Sequence, residues 1–263
     1  MTTPHPGAPE RSVVDRTLSV LGAFDRDNRT LTLSDISRRS GLPVATAHRI
    51  VNKLHGWGAL ERSNEGAYSI GLRLWETGTL APRCSPLVEA AQPHLMELND
   101  RTSAQALLMI RDGVEGVCLS FVTKGPKPLA PWGDSGSRMP LHATSAGLVL
   151  LAHASEVVQN EVCAGPLHAY TPATLTEGPA LRQALARVRR EGYAVAYRTL
   201  TPDCAGVAFP VSNTRGNVVA AVCAVADAEG FRPAKLAPLV SAAADAVSQY
   251  VRTSRWRMAR VGA

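Results

Sequence analysis

From Ser12 the apolar residues fall at helical intervals, with Val14, Leu18, Leu21 and Phe24 recurring every three or four positions behind a serine suited to an N-cap. The turn-rich stretch 25–29 ends this helix, and a short second helix follows, with Ser34 as its candidate cap and Arg38-Arg39 near its end. Gly41-Leu42-Pro43 then reads as a tight turn, glycine suiting the position past a helix end and proline the first turn of the next helix. A third helix runs from Val44 to about Trp57, ended by Gly56 and Gly58, with Ala47, Ile50, Val51 and Leu54 on one face. Residues 59–62 and 67–70, joined by Ser63-Asn64-Glu65-Gly66, predict a β-hairpin.

Beyond Gly71 the pattern predicts a connecting helix to about Pro82, with Leu72, Leu74 and Trp75 for packing, and then a long helix opened by Ser85-Pro86 and carrying Leu87, Ala91, Leu95 and Leu98. The remainder alternates. Strands are expected at 104–110, 117–122, 193–198, 206–212 and 218–226, and helices at 144–154, 179–191 and from Lys235 to about Arg257. The chain therefore divides into an arm (1–10), a helical N-terminal domain (11–71), a linker helix (72–84), an α+β domain (85–257) and a tail (258–263).

The order helix, helix, tight turn, two-faced helix, hairpin is that of a winged helix-turn-helix. Its second helix buries one face and offers the other to the major groove of double-stranded DNA. The polar face of the third helix carries Ala45, Thr46, His48, Arg49, Asn52 and Lys53. Arg and Asn pair bidentately with guanine and adenine edges, and Lys suits phosphate. Arg38 and Arg39 sit where the first helix of the motif crosses the DNA backbone, and Arg62 in the hairpin suits a wing contact.

Charge does not locate the DNA-binding half. The net charge is +6 over 263 residues, but residues 1–80 hold ten Lys/Arg against eight Asp/Glu, so local arrangement must carry the assignment. The five cysteines are odd in number and widely spaced, which suits a reducing compartment rather than a disulfide framework. The polar, proline-rich start has no secretory pattern, and the longest apolar run, Val218–Ala226, is nine residues, so no membrane partner and a cytoplasmic location are expected. No Cys or His pair has metal-ligand spacing, no cofactor is called for, and His142 is expected to pack or hydrogen-bond locally. Gly133-Asp134-Ser135-Gly136-Ser137 is similar to a serine-protease nucleophile loop, but nothing in the sequence supplies the matching histidine and aspartate. Hydrolysis through Ser135 is set aside and no enzyme is expected. Arg252, Arg255, Arg257 and Arg260 read as a solvated helix end.

Leu141-His142-Ala143-Thr144-Ser145-Ala146-Gly147 is a loop entering a helix of small residues, where a ligand can approach the backbone N–H groups of the helix start, a natural seat for a carboxylate.

Segments 12–24, 31–57 and 68–74 resemble the DNA-binding domain of the isocitrate lyase regulator (IclR) family of bacterial transcription factors. The stretch Met139-Pro140-Leu141-His142-Ala143-Thr144-Ser145-Ala146-Gly147, then 191–194, 206–211 and 216–222, resembles that family's effector domain. The resemblance spans about residues 12–250 and implies a GAF-like α+β effector-binding domain and assembly as a homodimer or homotetramer. It also implies an effector pocket lined by Met139, Ser145, Ala146, Gly206, Cys223 and Val225. Two positions depart from the family: Leu148 stands where a lysine is usual, and Thr199–Cys204 lacks the usual acidic pair. With Cys223 and Val225 the pocket reads as apolar, favouring an aromatic or longer aliphatic acid over a very small one. The expected function is a ligand-responsive repressor of a catabolic operon controlled by a small carboxylic acid, with activation as the alternative.

Overall fold

The computed structural model describes residues 12–81, 84–124 and 134–253, which form two compact units divided after Ala81. The arm at 1–10, the end of the linker at Pro82, Gly133, and the arginines at 255, 257 and 260 lie outside the described residues.

The first unit holds α1 (Val13–Leu21), β1 (Thr30–Leu31), α2 (Leu33–Ser40), α3 (Val44–Trp57), β2 (Leu60–Arg62), β3 (Tyr68–Ile70) and α4 (Leu72–Thr79). Its three short strands make an antiparallel sheet in the order β1-β3-β2. Strand β1 is too short for a periodic signal and was not expected.

The helix ends are fixed by side chains. Ser12 and Asp15 form a capping box on α1, each accepting the other's backbone N–H at 3.0 Å. The cap of α2 is Thr32 rather than the expected Ser34, because Thr32 and Asp35 have the three-residue separation that a reciprocal box requires. The same contacts hold the Asp35 carboxyl below its ordinary pKa, the Thr32 hydroxyl contributing most and Arg38 next. Gly41 closes α2 at φ +68°, in left-handed geometry open to glycine, and the Leu42 N–H donates back to the Ser37 carbonyl at 3.2 Å. Pro43 is the N-cap of α3 rather than part of its first turn, and Gly56 is helical, so Gly58 alone ends α3, at φ +88°.

Val20, Ile36, Ala47, Ile50, Val51, Leu60 and Tyr68 meet in the core of this unit. Of the stripe expected on α1, Leu21 and Phe24 pack partly buried against this core, while its first half does not. Val20 and Ala23 are buried, whereas Val14 and Leu18 are 65% and 59% exposed. On α4, Leu72 and Trp75 likewise stand exposed rather than packed, and no residue of that helix is buried.

The second unit is a three-layer α+β structure. A six-stranded antiparallel sheet in the order β6-β5-β4-β9-β8-β7 is built from β4 (Gln105–Asp112), β5 (Glu115–Val122), β6 (Arg138–Pro140), β7 (Ala194–Tyr197), β8 (Cys204–Ser212) and β9 (Val218–Asp227). Alternation along the strands sorts the side chains onto two faces. Leu108, Val207, Val222 and Ala224 pack with Leu87, Leu95, Val240 and Val247 of α5 (Ser85–Thr102) and α9 (Pro233–Thr253). Leu107, Met109, Ala208 and Cys223 face α6 (Ser145–Ala152) and α8 (Gly178–Glu191). Every residue of α6 is buried, which explains why its sequence shows no amphipathic period: it lies between sheet and helix with no solvent side. The short α7 (Glu156–Ala164) was not foreseen, since Cys163 is its one buried residue and the pattern there is weak.

Candidate functional site

Two sites emerge, one in each unit. In the first, packing of Ala47, Ile50 and Val51 into the core turns the opposite face of α3 outward. Ala45, His48, Arg49, Asn52 and Lys53 are exposed on that face and Thr46 is half-buried. The Asn52 amide nitrogen lies 3.1 Å from His48 Nε2, one turn away, which orders that pair.

The two arginines of α2 differ. Arg38 is exposed and paired only within its own helix, to Asp35 at 2.7 Å, a contact of small worth that a phosphate can replace. Arg39 is committed internally: its Nε donates to the Ala23 carbonyl at 2.6 Å and its guanidinium pairs with Asp25, clamping the turn after α1. The Asn28 side chain, and then Arg39, hold the Asp25 carboxyl below its ordinary pKa. Arg62 sits at the hairpin with its guanidinium 5.6 Å from the centre of the Tyr68 ring, on a turn closed by Gly66 at φ +84°.

In the second unit a cavity of about 60 Å³ lies between the sheet and the start of α6. A cavity of about 150 Å³ holds benzene, so this one is under half the size that one ring needs and admits a ring only if its lining moves apart. All six residues singled out from the sequence, Met139, Ser145, Ala146, Gly206, Cys223 and Val225, line this cavity. None of its lining side chains carries a fixed charge.

The polar end is at α6. Thr144 caps the helix by accepting the Gly147 N–H at 3.0 Å. The Ser145 hydroxyl lies 3.2 Å from Cys223 Sγ, and the Ala146 N–H also donates to that sulfur. Burial pushes the Cys223 thiol up to about 11, outweighing those two contacts. At neutral pH it is therefore a neutral thiol, a weak acceptor occupying the place where the helix N-terminus attracts negative charge.

Two glycines hold this end together. A Cβ on Gly147 would fall 2.5 Å from both the Leu141 carbonyl oxygen and Thr144 Oγ1, so no other residue fits there. A Cβ on Gly206 would meet Ser145 Oγ at 2.8 Å, so the bare backbone of β8 is what lets α6 seat so closely.

The sequence reading missed other parts of the lining. Gln105, Leu107 and Met109 enter from alternate positions of β4, Thr199 and Leu200 from the loop before β8, and Cys204 from the first position of β8. That loop is fastened by hydroxyls: Thr199 Oγ1 donates to the Ala143 carbonyl at 2.8 Å, while Thr174 and Thr171 donate to the carbonyls of Thr199 and Arg198, both at 2.6 Å. The alternation of Gln105 with Leu107 and Met109 was the one available signal.

Other expectations resolve locally. His142 is buried with Nε2 3.0 Å from the His168 carbonyl oxygen. Ser135 lies exposed on a turn closed by the Ser137 hydroxyl, which donates to the Asp134 carbonyl at 2.6 Å. Among the described residues no His, Cys, Asp and Glu cluster suits a metal ion, and no helix is long and apolar enough to cross a membrane.

An outward-facing recognition helix on one unit and an apolar cavity in a separate α+β unit define the class of ligand-sensing, helix-turn-helix DNA-binding regulators. Comparison with known proteins agrees. Residues 13–64 match the IclR helix-turn-helix domain and residues 83–250 the bacterial transcriptional regulator IclR C-terminal domain. The chain belongs to the IclR family of bacterial transcriptional regulators.

Among its relatives is the HTH-type transcriptional regulator XynR of Escherichia coli K12, 34% identical over 211 residues, covering 80% of this chain and 83% of the relative. The HTH-type transcriptional repressor AllR of Salmonella typhi is 29% identical, covering 80% and 77% respectively. An IclR homologue from Microbacterium hydrocarbonoxydans, solved in complex with 4-hydroxybenzoate, is 33% identical, with a TM-score of 0.85 over 92% of this chain and all of that one.

Proposed function

We propose that the protein is a repressor of a catabolic operon, released from its operator when a small carboxylic acid, aromatic by preference, enters the cavity at the start of α6. The observation that carries this reading is the cavity itself, apolar in lining and bounded at one end by helix-start N–H groups. A carboxylate there supplies the Ala146 N–H with a stronger acceptor than the Cys223 thiol. The lack of a cationic side chain in the lining favours a ligand with much apolar surface over a very small, strongly hydrated acid. The 4-hydroxybenzoate bound by the Microbacterium homologue supports the ligand class, and the name of AllR supports repression as the sign.

On the DNA side, Ala45, Thr46, His48, Arg49 and Asn52 present the base-reading surface, with Arg38, Lys53 and Arg62 toward phosphate and Arg39 shaping the motif from within. The unpartnered apolar residues Val14 and Leu18 on α1, with Leu72 and Trp75 on α4, support assembly as a homodimer or larger homo-oligomer. The operator is then an inverted repeat with half-sites about one helical turn, or a multiple, apart.

The test uses a fluorescent fragment of the DNA flanking the gene. Anisotropy is followed as ring acids and short aliphatic acids are titrated in. Release by ring acids at concentrations that leave the protein folded supports the reading. Operator binding indifferent to every acid overturns it.

A further inference from the structure

The cavity at the start of α6 is smaller than one ring, so what it can take is set by whichever wall can yield. Most of the lining belongs to elements held firmly in the unit. Gln105, Leu107 and Met109 stand on β4 and Cys223 and Val225 on β9, two strands paired on both sides, and α6 is buried along its whole length. Thr199 and Leu200 differ, because they enter from the loop between β7 and β8. The Arg198 N–H closes that loop by donating to the Cys204 carbonyl at 2.8 Å. Arg198 itself sits at φ +58°, a left-handed backbone that a side chain disfavours, so the closed loop is strained.

Besides the bond from Thr199 to Ala143, the loop is held by the segment 168–174, between α7 and α8. The Thr174 hydroxyl accepts the N–H groups of Tyr170 and Thr171, at 3.1 and 2.9 Å, and donates to the Thr199 carbonyl at 2.6 Å. A hydroxyl has one proton and two acceptor sites, so all three are committed and the rotor is fixed. Thr174 is buried yet does not line the cavity. Thr171 adds a second bond, donating to the Arg198 carbonyl at 2.6 Å while accepting the Ala173 N–H at 3.1 Å. The other end of the segment meets the loop before α6, where His142 Nε2 lies 3.0 Å from the His168 carbonyl oxygen.

Both threonines therefore grip backbone carbonyls of the one wall that can yield. Admitting a ring moves Leu200 outward, which breaks the bond from Thr174 and relieves the strain at Arg198. The open state is then a minor population, and the apparent affinity for anything larger than the closed cavity is reduced by that fraction.

We infer that Thr174 is a positioning residue that latches the β7–β8 loop over the cavity and so sets the size of effector the protein admits. This rests on the proposed acid-binding cavity and adds what limits entry to it. A residue that merely supported the site would weaken binding on losing its hydroxyl, whereas a latch strengthens binding on losing it.

Calorimetry on the full-length protein with benzoate and 2-naphthoate, alongside hydrogen exchange of the amides at 198–204, tests it. Thr174→Val removes one hydrogen bond from the closed state, and affinity for both acids is expected to rise about twofold to tenfold. Exchange at 198–204 is expected to accelerate by a similar factor, with β4 and β9 unchanged. Thr174→Ser keeps the hydroxyl and returns both readouts to the wild-type values. Thr171→Val shifts both in the same direction through the Arg198 carbonyl, and covers the case in which Thr174→Val folds poorly.

Weaker or unchanged binding in a folded Thr174→Val protein, or loop exchange equal to that of the wild type, overturns the latch and leaves the cavity reading intact. Loop exchange that accelerates while neither acid binds wild type or variant overturns the cavity reading, and the role of Thr174 in entry with it.

Discussion

Substituting Ala146 with phenylalanine turns the cavity against its own ligand. Ala146 is 2% exposed, lines the cavity and occupies the second position of α6, where its N–H meets Cys223. The added phenyl ring needs about the volume of benzene, for which ~150 Å³ suffices, against a cavity of about 60 Å³. The ring therefore overfills the space and pushes the lining apart. Its destabilisation falls toward the high side of the ~1–3 kcal/mol typical of overpacked cores. At ~2–4 °C per kcal/mol for a domain of this size, the melting temperature should fall by roughly 5–10 °C. Ligand affinity should fall at least a hundredfold, because ring and ligand compete for one volume. Basal operator binding should survive, since the recognition helix belongs to a different compact unit. An effector shifts an equilibrium only through differential affinity for two states, so removing its site removes release. The assay combines calorimetry with ring acids, anisotropy on the operator, and circular dichroism with sizing. Undiminished acid affinity in a well-folded Ala146→Phe protein would refute the placement of the site.

Three further outcomes follow from the geometry. Arg49→Ala should weaken specific operator binding by ~1–3 kcal/mol with unchanged melting, whereas Arg38→Ala should weaken all sequences alike and flatten the salt dependence; competition against random DNA at two salt concentrations separates them. The Cys223 thiol, raised from an ordinary 9.0 to about 11, contributes stability that is fully present below pH 9 and is lost as pH climbs toward 11, at most ~3 kcal/mol. Denaturant melts at pH 8 and 10.5 should show Cys223→Ser losing less than the wild type over that interval, and equal losses would contradict the buried neutral thiol. Leu18→Glu combined with Trp75→Glu should shift sedimentation toward monomer and weaken operator binding, while each unit stays folded because both side chains are already exposed.

Local physics made much of this protein legible from its residues. The recognition helix was readable because its two faces differ in kind, with Ala47, Ile50 and Val51 inward and Arg49, Asn52 and Lys53 outward. Gly41 and Gly58 mark real helix ends, each in left-handed geometry. The small residues around Ser145 and Gly147 announced a close approach, which the Cβ clash at Gly147 explains.

What the tertiary structure decided is which apolar residues find a partner and which polar residues meet across the sheet. Periodicity gives the same weight to Val14, Leu18, Leu21 and Phe24, yet only the last two pack against the core, because the angle at which α1 crosses α2 and α3 is not written in α1. The cap on α2 moved from Ser34 to Thr32 because a capping box needs a reciprocal partner as well as a hydroxyl. Arg38 and Arg39 are neighbours of equal charge, but only the fold places the Ala23 carbonyl and Asp25 within reach of Arg39. Gln105 and Gly206 lie about a hundred residues apart in sequence and share one rung through Val225, a juxtaposition created by strand register alone. Sequence sets each residue's chemistry and local conformation; the register of the sheet and the seating of α6 on Gly206 set which of those chemistries share a cavity.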